Sequence, residues 1–180
     1  MTLSIYKLAI ETYVPALRSL SELLDKAAQH MRAKGADPEA LLNERLAPDM
    51  FPLAMQVKLA CYHVRSGSAR ATGQDSPKPE SKDLTLAELK EFIEQTIQSL
   101  TGMNAKAFDG AEERKVELPL QKSRVFESNG LQFLMHWSFP HFYFHVVTAY
   151  DILRHIGVPL GKTDYMNKIT DGYIRQLEQA

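Results

Sequence analysis

One cysteine, Cys61, is all the sulfhydryl this 180-residue chain has, and neither sign of charge is in excess: 21 lysines and arginines stand against 22 aspartates and glutamates. A single thiol excludes an intramolecular disulfide framework and a thiolate-rich zinc site. Cys61 lies in the apolar run LACYHV, so it reads as a small buried hydrophobe rather than a nucleophile. The balanced charge, spread along the chain, leaves no electrostatic footprint for nucleic acid or for an anionic membrane surface. No uninterrupted apolar run approaches the length of a membrane span. The opening MTLSIYKLAIETYVPAL carries Lys7 and Glu11 inside its apolar stretch and has no basic leader, which argues against a signal peptide. A cytoplasmic protein with no nucleic-acid or membrane partner is expected. Also missing are a glycine-rich phosphate loop, a G-x-S-x-G elbow, a CxxC pair and an H-E-x-x-H helix.

What the chain does have is helical periodicity. Apolar residues make up 44% of it, enough for a real core, and the length suits a single domain over 1–180. Ile5, Leu8, Ala9, Tyr13, Leu17, Leu20, Leu24 and Ala28 recur at spacings of three and four, predicting a helix from about Ser4 to Lys34 that Gly35 ends. Pro15 predicts a late start or a bend there. DPEALLNERL predicts a short helical piece capped by Asp37 with Pro38 at its first position. A second long helix is expected from about Met50, capped by Asp49, to Ala71. A third opens at Thr85, where TLAE forms a capping box with Glu88. KVELPL and SRVFES alternate around QKS and predict a short hairpin, with Pro119 on an edge. A fourth helix is expected from Ser128 or Asn129 to just before Gly157, and a weak final one beyond Asp164. Four long helices with one hairpin inserted before the last predict an all-α four-helix bundle.

The fourth helix holds the chemistry. HWSFPHFYFHVVTAYDILRH carries four of the six histidines and the only tryptophan. His141, His145, Thr148, Ile152 and His155 form one stripe beside the apolar face of Phe142, Val146, Ala149, Leu153 and Ile156. A histidine pair at i, i+4 can put two imidazole nitrogens on one metal ion, and imidazole suits zinc and nickel alike. A core role is the alternative, with the carbonyl of His136, freed by Pro140, as a ready acceptor. His155, at the helix end, fits the helix dipole. A third ligand is needed for zinc. Asp49, Gln56 and His63 share a face of the second helix, and His63, near its middle as His145 is in the fourth, is the better-placed partner.

RLAPDMFPLAMQVKLA, FPHFYFHVVTAYDILRHIGVPLGKTDY and the opening LSIYKLAIETYVPALRSLSELLDKA resemble a bacterial domain-of-unknown-function family in the DinB-like superfamily, up to about Tyr165 and leaving out the tail 165–180. The resemblance implies a DinB-like four-helix bundle with an up-down-down-up path, frequent homodimers, and in many members a divalent metal on three histidines. It matches His141 and His145 to the last-helix pair. The second-helix histidine has no direct counterpart, since DMFPLAMQVKLA places Asp49 and Gln56 in that region and His63 further on.

Two kinds of function follow. One is a divalent-metal-dependent hydrolase or thiol transferase using His141, His145 and His63. The other is a metal-free bundle that binds a small molecule through Asp49, Gln56, Tyr143 and His145, or serves as an oligomeric scaffold. Phe144 and Val147 project opposite the fourth helix's core face, so a second apolar face needs a cover. Either the hairpin supplies it or a second copy does in a homodimer; the superfamily resemblance favours the dimer.

Overall fold

The structure, a computed structural model, describes residues 4–174. Helix α1 runs unbroken through Pro15 from Ile5 to Ala33, with the Ser4 hydroxyl capping the amide of Lys7. Its predicted stripe is buried apart from the half-buried Leu8. The chain leaves it through Gly35, whose φ of +68° lies in the region glycine favours. The DPEALLN piece is a 3-10 turn over Pro38–Asn43, capped by Asp37 as predicted.

Helix α2 spans Leu53–Ala71, three residues later than the expected start at Met50, and Asp49 does not cap it. The reason is Pro52, which keeps Phe51 out of helical conformation and itself takes the cap position. Asp49 instead sits in an exposed turn closed by the Met50 amide on the Ala47 carbonyl. Helix α3, Leu86–Thr101, carries the predicted capping box between Thr85 and Glu88. Strands β1 (Lys115–Leu120) and β2 (Arg124–Asn129) pair antiparallel with Leu118 opposite Phe126. Lys122 and Ser123 make the reversal with positive φ, 58° and 55°.

The last long helical stretch is not the single regular helix expected. Asn129 and Gln132 form a capping box at its start, helix α4 covers Gly130–Phe133, a π turn covers Leu134–Ser138, and helix α5 runs Phe139–His155. Pro140 has no amide to donate into the preceding turn, where the wider π spacing is found. Short helix α6, Lys162–Met166, lies against α1, held by Glu22 on Lys168 (2.9 Å) and by the Lys26–Asp164 ion pair. The expected final helix beyond Asp164 goes no further than Met166, since 167–174 are turns and irregular chain, and its part over 175–180 lies outside the described residues.

Helix α2 packs mainly on α3 and α5, and α1 on the same two, so α1 and α2 meet each other little. Tyr13, Leu17, Leu20, Leu24, Leu53, Val57, Leu89, Ile93, Phe142 and Val146 fill the space between them. The hairpin lies over the start of the last helical stretch: Phe126 packs on Phe133 and Trp137, and the Arg70 guanidinium bonds the Glu117 carbonyl at 3.2 Å. It does not cover Phe144 and Val147, which remain 57% and 40% exposed. Among the described residues no helix is long and apolar enough to cross a membrane.

Candidate functional site

The α2–α5 interface brings His63, His141 and His145 together. The His63 ring stacks on His141 with centroids 4.9 Å apart and on His145 at 5.4 Å. His63 and His145 are buried, at 7% and 8% exposure, while His141 is half-buried and reaches the surface beneath Trp137, 4.4 Å away.

Hydrogen bonds set the tautomers of the helix pair. His141 Nδ1 lies 2.7 Å from the Trp137 carbonyl, which can only accept, so Nδ1 carries the proton. The expected acceptor was the His136 carbonyl. A helical side chain leans back over its own preceding turn, and that puts the i−4 carbonyl in reach instead. His145 Nδ1 lies 2.7 Å from Gln56 Oε1. The Gln56 amide nitrogen donates to the Phe51 carbonyl at 2.9 Å, which fixes the amide's orientation and makes Oε1 the atom facing the ring. His145 Nδ1 is therefore also a donor. In its neutral form each ring then keeps Nε2 unprotonated.

Burial, together with the neighbouring His141, pushes the His145 pKa down to about 4. Burial, then His141 and His145, push His63 down to about 3. Both rings are neutral at physiological pH. The His63 ring makes no hydrogen bond within the described residues. Neutral imidazoles with Nδ1 tied to a carbonyl or amide and Nε2 free are the form in which histidine ligates metals, so the donor chemistry fits a divalent ion. The ring orientations are another matter. The His63 plane lies within 25° of His141 and 14° of His145, so in-plane lone pairs run side by side. Among the described residues no three His, Cys, Asp or Glu side chains are arranged to hold a metal ion. His63 would have to turn out of the stack to join the pair.

The family model described as Domain of unknown function (DUF1993) matches residues 5–166. The chain belongs to the DUF1993 family. It is also similar to a solved structure, a DinB family member protein from Shewanella denitrificans, at 36% identity over 90% of this chain and 91% of that one, with a TM-score of 0.80. Together these make it a domain of unknown function in the DinB-like superfamily. No curated protein matches.

The other candidates in this DUF1993 chain lie apart. Asp49 is exposed in its turn, and Tyr143 packs half-buried on Phe142. His136 and His155 are exposed. Gln56 reaches the site, but as the partner of His145, with both ends of its amide engaged. Cys61 is fully buried and its thiol is pushed up to about 12 by burial, as its apolar context predicted. Sequence reasoning missed the Trp137 carbonyl and the buried hydroxyl of Ser138. Pro140 was the available signal, since it marked the turn that was going to be irregular.

Proposed function

We propose that this DUF1993 protein is a cytoplasmic four-helix bundle of the up-down-down-up kind that takes one divalent ion, zinc or nickel, at His63, His141 and His145. It would then act as a hydrolase or thiol transferase. The observation that carries the reading is the pair of imidazoles one turn apart whose Nδ1 atoms are both anchored, beside neutral His63, whose ring makes no hydrogen bond among the described residues.

The chain's own contribution is preparation. Gln56 and the Trp137 carbonyl each hold one ring by its Nδ1, and burial keeps His145 and His63 neutral. Half-buried His141 opens the cluster to solutes. When bound, a divalent ion supplies Lewis acidity to a water or thiol at this place. A bundle of four helices is supported by α1 and α2 each packing between α3 and α5. The metal-free alternative has less to rest on, because Asp49 is exposed in its turn and the Gln56 amide is already engaged at both ends. The reading includes a homodimer, supported by the exposed Phe144 and Val147.

Metal analysis of protein purified without a histidine tag tests the proposal. About one zinc or nickel per chain is the expected result, and metal-free protein that also takes up neither ion on addition would overturn it.

A further inference from the structure

Two consecutive residues of the π turn touch two of the three histidines from behind. The Trp137 carbonyl accepts from the His141 ring at 2.7 Å, and the Ser138 hydroxyl donates to the backbone carbonyl of His63 at 2.6 Å. Ser138 in turn accepts from the Tyr13 hydroxyl at 2.7 Å. Tyr13 and Ser138 are almost wholly buried, at 0% and 1% exposure. The result is a relay of hydroxyls from α1, through the π turn, to α2 at the level of the site.

Gly67 makes room for it. A Cβ at that position would lie 2.2 Å from the Ser138 hydroxyl oxygen and 2.8 Å from the Tyr13 hydroxyl. No real side chain tolerates such distances, so the close approach of the π turn to α2 depends on glycine.

The π turn also sets a rotation. Buried positions step by five from Phe133 to Ser138 and from Leu134 to Phe139, then by three and four through Phe142, His145, Val146 and Ala149. One extra residue in a helical turn rotates everything after it by about 100°. Without that step His141 and His145 would be carried around the helix axis, away from His63. A π turn of this kind needs something to hold it against reverting to α geometry, and a buried hydroxyl with a donor and an acceptor does so.

We propose that Ser138, seated against Gly67 and anchored by Tyr13, is a positioning residue for the imidazole cluster: it holds the π turn to α2 and so sets the His141 ring against His63. The proposal rests on the metal-site reading for its purpose, but its geometry can be examined without metal.

The test is nitrogen-15 NMR of the histidine rings in the full, metal-free chain at alkaline pH, where long-range correlations report which ring nitrogen carries the proton. The unaltered protein should show His141 in the Nδ1–H form. Ser138→Ala should abolish that signature and move the His141 signals towards those of exposed His155, while the chain stays folded by circular dichroism. A merely structural hydroxyl would lower the melting temperature and leave the ring signals in place, and that result overturns the proposal. Should Ser138→Ala not fold, Tyr13→Phe decides: weakening of the same signature supports the proposal, and an unchanged His141 ring rejects it. Because metal uptake is measured separately, a metal-free protein with the expected ring response would retire the metal reading alone.

Discussion

Gln56 and His145 meet across the α2–α5 interface through one hydrogen bond, 2.7 Å from Oε1 to Nδ1, with both side chains buried. The Phe51 carbonyl holds the other end of the amide, so the bond runs in one direction only. A residue that sequence periodicity offered as a possible ligand is instead what orients a ligand candidate.

Replacing Gln56 by leucine should therefore cost more than a lost surface contact. It strands the His145 Nδ1–H in a buried place, and an unsatisfied buried group costs about 1–3 kcal/mol. Urea unfolding should show a loss in that range, and a change near zero would mean that the bond does not form in solution.

Metal uptake should follow the ring geometry. His145→Ala should abolish binding of zinc or nickel, and His141→Ala should weaken it at least about tenfold, the scale on which single ligand-shell changes act. His155→Ala, exposed at the helix end, should leave binding intact. Titration with dialysed apo-protein separates these outcomes. Full occupancy in the His145→Ala variant would rule out this site.

Acid should destabilise the metal-free protein before its carboxylates protonate. Burial holds His63 near 3 and His145 near 4, against 6.5 in an unfolded chain. The unfolded state thus binds protons first, so the imidazole contribution is complete above pH 6.5 and is lost as pH falls towards the folded values. The slope is at most about 1.4 kcal/mol per pH unit for each ring. Chemical denaturation between about pH 5 and 6.5, where ordinary carboxylates remain ionised, isolates it. His63→Leu should flatten the curve; an unchanged slope would show that His63 is not held neutral.

Phe144→Asp should convert a homodimer to folded monomer. The ring is 57% exposed on α5, beside Val147, and a two-fold pairing would set this patch against itself. Light scattering at micromolar concentration reads the outcome. A monomeric unaltered protein rejects the dimer, and a dimer indifferent to the substitution places the interface on another face.

The helices and their caps were legible in the sequence because they are local. Asp37, Thr85 with Glu88 and Gly35 act within a turn of where they stand, and the stripe from Ile5 to Ala28 needs only a period of 3.6. The hairpin was legible for the same reason, since alternation and a polar turn are properties of adjacent residues. Where the local reading failed, at Met50, two signals competed: Asp49 as a cap and Pro52 as a breaker. The proline prevailed because a steric exclusion at Phe51 outweighs one capping bond.

The histidine pair at 141 and 145 was equally visible, being one turn of one helix. What the pair faces was not. That His63 stacks on both rings depends on how α2 and α5 cross, and that crossing depends on a π turn which no periodicity announces. Composition and spacing determined which helices form and which residues they offer. The tertiary structure decided that Gln56 is an anchor, that Asp49 stands outside, and that a serine 75 positions from His63 holds its backbone. Such long-range hydrogen bonds join residues with no mutual spacing to detect, because each needs only that two packed surfaces bring a donor within about 3 Å of an acceptor.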